Sequence, residues 1–306
     1  MMHELIELKT LTGAASKRLR SALRRGNATM VASLGALACV AALTACTTPS
    51  PQAAQPSPEV VKELAPSGTL RAAINVGNPV LATMNTATGQ PGGISVDLVQ
   101  ALAKRLGVPV SYVIYNAAGK LTAGERSGQW DVGFVGIDPE RAEYIDYTPP
   151  YVIIQGVYMV RQDSPILTNA DVDKAGVRIA ISGGSVYDLY LSRRIKNAQL
   201  VRAPAPSLVT DMMLKQQYEV AAGVKQRLAA DVARLPGLRL LDGNFMVIRQ
   251  AMATPRNRPE ATRYLTQFIE EMKASGFVEA SLQRHHVDSA EVAPAETAAT
   301  AATTAQ

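Results

Sequence analysis

The chain has 306 residues, with 31 Lys and Arg against 26 Asp and Glu, a net charge of +5. Six of the basic residues and only two acids, Glu4 and Glu7, lie in the first 46 positions. The remainder therefore balances 25 basic against 24 acidic residues, a net +1. The basic excess belongs to the N-terminal segment and does not indicate a nucleic-acid partner. Both cysteines, Cys39 and Cys46, fall in that segment, which leaves the rest no internal disulfide to form. With three histidines in all, no zinc constellation is expected, and no metal or other cofactor.

The first 46 residues have the logic of an export leader. The basic stretch KRLRSALRRGNATM precedes the apolar run VASLGALACVAAL, Val31 to Leu43. That run is too short for a spanning helix of about 20 residues. It ends in Leu43-Thr44-Ala45-Cys46, which resembles the bacterial lipobox. The resemblance implies that residues 1–46 are a lipoprotein signal segment and that Cys46 carries a lipid. The domain would then sit in the periplasm or at the cell surface, tied to a membrane by that lipid.

Residues 47–65, TTPSPQAAQPSPEVVKELA, lack a sustained apolar period and read as a flexible linker. Residues 288–306, ending AETAATAATTAQ, read as a disordered tail. Residues 66–287 alternate β-like runs with helical patterns. The runs are LRAAINV, VSYVIYN, WDVGFVGI, YVIIQGVYMVR, VRIAIS, QLVRAP, YEVAAGV and NFMVIRQAMAT. Between them, SVDLVQALAKRLG carries an apolar stripe of Val96, Leu98, Leu102 and Leu106; SVYDLYLSRRIKN, SLVTDMMLKQQ and ATRYLTQFIEEMKASG also read as helices. The fold class is α/β, with mainly parallel sheets flanked by helices. Such sheets bind ligands beyond the carboxyl ends of their strands, here the loops after Val76, Ile137, Ser182 and Val224.

Three stretches, in this order, resemble the amino-acid-type periplasmic binding proteins, family 3 of the bacterial extracellular solute-binding proteins. They are SGTLRAAINVGNP with GGISVDLVQALAKRLGVPVSYV, then SGQWDVGFVGIDPERAEYIDYTPPYV, then ADVDKAGVRIAISGGSVYDLYL with the YEVAAGV strand. The resemblance implies a two-lobed periplasmic binding protein fold (type II) joined by two hinge strands near Tyr151–Val160 and Phe245–Thr254. Lobe 1 would take about 66–154 and 247–287, and lobe 2 about 155–246. It also implies a monomer that captures a small-molecule solute and delivers it to an ABC permease in the cytoplasmic membrane.

Within that frame, IDPER offers Asp138 as a cap and Pro139 in the first turn, which aims Arg141 into the cleft. A guanidinium suits a carboxylate geometrically, and the resemblance implies that Arg141 grips the ligand's carboxylate. In SGGSVYDL, Gly183 and Gly184 permit close backbone approach and Ser185 can cap. The amides of Val186 and the next residue would face an anion. Two departures narrow the ligand. Val224 stands where α-amino-acid binders carry an aspartate for the ammonium, and Gly136 stands where a hydroxyl residue is common. An apolar residue cannot balance a buried ammonium. The expected ligand is therefore a carboxylate or dicarboxylate without an α-ammonium. Lys225, Asn78 and Gln250 are further candidates for its polar contacts. Two rival readings remain: a periplasmic enzyme like cyclohexadienyl dehydratase on the same scaffold, and a sensory module. The first needs an acid or base in the cleft, and only Asp138, Asp188 and Glu219 are near the relevant loops.

Overall fold

The computed structural model describes residues 55–296. The signal segment and Cys46 lie outside the described residues. In chain order the elements begin with α1 (Pro58–Leu64), β1 (Leu70–Asn75), β2 (Thr83–Met84), β3 (Pro91–Gly92), α2 (Ile94–Leu106) and β4 (Val110–Tyr115). Next come α3 (Ala118–Glu125), β5 (Val132–Gly136) and β6 (Ile145–Arg161). They continue with β7 (Arg178–Ser182), α4 (Val186–Arg194), β8 (Gln199–Ala203), α5 (Val209–Lys215), β9 (Val220–Val224) and α6 (Lys225–Arg234). The last are β10 (Leu238–Leu240), β11 (Met246–Pro255), α7 (Pro259–Ala274), α8 (Phe277–Arg284) and β12 (Glu291–Val292).

The strands follow the order β4-β1-β5-β11-β6-β9-β7-β8. Parallel pairing joins β4, β1 and β5 at one end and β9, β7 and β8 at the other. These are the two lobes. Every residue of β5 (VGFVG) and β9 (VAAGV) is buried, as continuous small and apolar runs require when both faces of a parallel strand are covered. The helix α2 buries Leu98, Val99, Leu102 and Leu106 and stops at Gly107 in the left-handed region, φ 68°.

Two long antiparallel strands connect the lobes. β6 pairs with β11 along Ile145–Gly156 and with β9 along Gly156–Val160. Its register with β11 shifts on both sides of Ala251, which faces Pro150 of the Pro149-Pro150 pair. A proline has no N–H for the ladder, so the strands bulge there. Gln250, at the edge of that irregularity, also pairs with Gly136 of β5. Its side chain is 3% exposed.

Both segments read as unstructured carry order within the described residues. In the linker, Ser57 accepts from the Val60 amide and Pro58 opens α1, whose Val60 and Leu64 are buried. Glu63 then accepts from the Ala261 amide at the start of α7. Two apolar residues four apart, with a good cap, suffice once α7 offers a surface. In the tail, Glu291–Val292 pairs with Val152–Ile153 of β6, and Ala293 is buried. The segment covers a stretch of β6 edge that β9 leaves open, so backbone pairing holds it without bulky side chains.

Candidate functional site

The carboxyl ends of β1, β5, β7 and β9 converge on one cavity of ≈ 30 Å³ between the lobes. Its lining includes Asn78 with Asn75 from the end of β1, and Gly136 with Arg141 from beyond β5. The second lobe adds Ser185, Val186 and Tyr187 at the start of α4, and Val224 at the end of β9. Gln250 reaches it from β11.

Arg141 lies in a short 3-10 turn and is 1% exposed. The Asp138 carboxylate accepts from the Glu140 amide (3.0 Å), which shapes that turn. Asp138 also accepts from Arg193 Nη2 at 2.6 Å, an ion pair between the lobes. Arg141 donates from Nη1 to the Gly136 carbonyl (2.9 Å) and from Nη2 to the Gly184 carbonyl (2.7 Å). One guanidinium therefore holds backbone from both lobes. Its Nε is buried without a partner.

On the second lobe, Ser185 Oγ caps α4 by accepting from the Asp188 amide (3.0 Å). The buried Asp188 carboxylate accepts from the Gly184 amide (2.8 Å) and from Arg202 Nε (3.0 Å). That leaves the first-turn amides of α4 as the main-chain donors a helix start supplies. Gly184 has φ +68°, and a Cβ there would come 2.9 Å from Gly119 Cα in α3 of the other lobe. The close approach this glycine permits is thus to the opposing backbone. Likewise, a Cβ on Gly136 would sit 2.8 Å from Val186 Cγ1. The glycine in place of a hydroxyl residue makes room for that valine.

The other polar groups divide by what holds them. Asn75 Oδ1 accepts from the Gly77 amide (3.0 Å) and Asn78 Oδ1 from the Val80 amide (3.2 Å), which leaves both Nδ2 groups as donors. Gln250 Oε1 is buried without a partner. Burial pushes the Tyr187 hydroxyl up to about 12, so it stays protonated at neutral pH. No acidic side chain lines the cavity among the described residues.

Of the residues expected from sequence, Arg141, Gly136, Ser185, Val186, Asn78 and Gln250 meet at the cavity. Gly184 enters through its carbonyl bond to Arg141. Lys225 does not line it: its Nζ donates to Gln155 Oε1 at 3.1 Å, in an exposed position. Sequence reasoning missed Asn75, Ala118, Pro206 and the ring of Phe134. Asn75 was findable as the last residue of β1. Ala118 and Pro206 carry no chemical signal and arrive only through the folding of distant loops.

The family model for bacterial extracellular solute-binding proteins, family 3, matches residues 70–288. The chain belongs to that family. Among relatives of this solute-binding protein, the virulence sensor protein BvgS of Bordetella pertussis is 30% identical over 131 residues, 42% of this chain and 10% of the sensor. A probable histidine-binding protein of Campylobacter jejuni is 27% identical over 111 residues, 35% of this chain and 42% of that protein. The chain thus spans less than half the length of either relative. An amino acid ABC transporter substrate-binding protein, AbpA from Streptococcus pneumoniae bound to L-arginine, matches in fold with a TM-score of 0.64 and 20% identity. That match covers 73% of this chain and 97% of the other. Among the described residues no helix is long and apolar enough to cross a membrane.

Proposed function

We propose that this solute-binding protein captures a small carboxylate-bearing anion between its lobes, about 66–154 with 247–287 and about 155–246, and hands it to an ABC permease. Export and a lipid on Cys46 would hold it at the membrane. The observation that carries this reading is Arg141, among the described residues the only charged side chain lining the cavity. Two carbonyls occupy its Nη groups, its Nε has no partner, and among the described residues no acid lines the cavity beside it. A buried cation without a counter-charge costs several kcal/mol, which an incoming carboxylate offsets. Val224 in the wall offers an ammonium nothing in return.

The dehydratase reading gains no acid or base from the lining, since Asp138 and Asp188 are engaged with Arg193 and Arg202. Incubation with prephenate and product analysis tests it directly. The match to a sensor protein favours a second reading of the partner alone, presentation of the bound solute to a membrane receptor. The ligand assignment is tested by calorimetry of the purified protein against keto acids, hydroxy acids, dicarboxylates and the standard amino acids. Binding of short carboxylates is expected; tight binding of an amino acid with no response to any carboxylate overturns the reading.

A further inference from the structure

The segment after α8 does more than cover the edge of β6. We infer that residues 288–296 form a strap across the strands that connect the lobes, and that the strap biases the lobes toward the closed arrangement. It is a third connection between them, and it acts whichever solute is bound.

The strap starts from lobe 1. His285 Nε2 lies 3.0 Å from Asp97 Oδ2 of α2, and the Val287 amide donates to the Leu282 carbonyl (2.9 Å). The chain then touches lobe 2, where the Ser289 carbonyl accepts from Gln226 Nε2 of α6 at 2.8 Å. Next, Glu291–Val292 pairs with Val152–Ile153 of β6, and the Ala293 amide donates to the Tyr151 carbonyl (3.1 Å). The far end returns to lobe 1. Lys273 Nζ of α7 donates to the Pro294 carbonyl (2.9 Å) and to the Pro150 carbonyl of β6 (3.2 Å). That lysine side chain is 5% exposed and ion-paired with Glu270 at 2.6 Å, which makes it a fixed post.

Where the strap is tied decides what it does. β6 and β11 must bend if the lobes rotate, and their ladder is interrupted at the Pro150–Ala251 bulge. The ties at Pro150, Tyr151, Val152 and Ile153 sit beside that bulge. A few residues further along β6, Gly156 pairs with Val224, and α6 begins directly after it. Ser289 is therefore held to lobe 1 on both sides, while Gln226 moves with lobe 2. Rotation of the lobes changes their 2.8 Å separation. The bond is made where Arg141 bridges the Gly136 and Gly184 carbonyls and is lost away from that arrangement. A contact made in one of two states shifts the population toward that state. A guest between the lobes then meets less of the cost of closing.

The test is the distance between spin labels on exposed helix positions of the two lobes, measured without added solute. The labels go on Lys104→Cys in α2 and Asp211→Cys in α5, in a Cys39→Ser, Cys46→Ser background. The full chain should populate a short-distance component. Gln226→Leu should lower the ratio of that component to the longer one ~2–10-fold, the scale of one net hydrogen bond. A chain ending at Val287 should lower it at least as far, with a thermal melt reporting whether it folds. If it does not, Gln226→Leu decides alone, since that side chain is only partly buried. A ratio unchanged or raised in the variants, or a full chain with no short-distance component, would overturn the inference and leave the segment as an edge cover.

Discussion

The two lobes use one device at the start of their central strands, and they use it at different depths. In the first lobe, Arg71 of β1 grips Asp131, the residue before β5, through its backbone amide (3.2 Å), Nε (2.9 Å) and Nη2 (2.8 Å). In the second, Arg178 of β7 grips Glu219, the residue before β9, through its amide (2.7 Å), Nε (3.0 Å) and Nη2 (2.6 Å). Each pair ties neighbouring parallel strands at the end away from the ligand cavity. The Asp131 carboxylate, however, is fully buried and takes a second arginine, Arg258, at 3.2 Å. Glu219 remains 33% exposed. One geometry is a buried hub in one lobe and a solvent-screened clasp in the other, so the energetic weight follows burial more than the number of bonds.

That contrast is open to direct attack. Asp131→Ala should be the most damaging change, costing ~3–5 kcal/mol because two arginines and a strand amide lose a buried partner. Urea unfolding measures it, and a loss below ~1 kcal/mol would mean that burial is not what separates the two clasps. At the cavity, Arg141→Ala should weaken carboxylate binding ~10–100-fold, read by calorimetry on a variant that still folds. Unchanged affinity would remove Arg141 from the site.

Glu219→Gln should cost less than about 1 kcal/mol at neutral pH, since the pair is partly solvated. Its signature is in acid. The Arg178 guanidinium holds the Glu219 carboxyl below its ordinary 4.5. The stabilisation is therefore complete above pH 4.5 and is lost as the pH falls through the lower folded value. The variant should lack that part of the acid-side decline and converge with wild type at low pH; an unaltered decline would show that the clasp does not titrate. Smallest of all, Arg193→Ala removes an ion pair between the lobes whose arginine is 44% exposed. Ligand affinity should fall only a few-fold, through a less favoured closed state, as calorimetry would show.

The main strands of both lobes and four of their helices were legible because their signals are local, whereas α3, α6 and α8 were not read. β5 and β9 announce themselves as unbroken small and apolar runs, and α2 by its stripe and its terminal glycine. α1 and β12 were not legible: Val60, Leu64 and Val292 are too few to form a pattern, and they become structured only against α7 and β6. The same division runs through the site. Asp138, Arg141, Ser185 and Val224 stood out because a cap, a following turn and a strand end are written in adjacent residues. Lys225, next to Val224 in the chain, was a further candidate for the ligand's polar contacts, yet its side chain leaves toward Gln155.

Sequence alone determined the order of the main strands, the family frame and the four loop ends that would approach one another. This follows because parallel strands align their carboxyl ends whatever side chains they carry. Only the tertiary structure decided how closely those loops meet. The Gly119–Gly184 contact, the two carbonyls on Arg141 and the lone oxygen of Gln250 join residues from separate elements. Their distances depend on the packing of two lobes and on a proline-induced bulge between β6 and β11, which no single stretch of chain encodes.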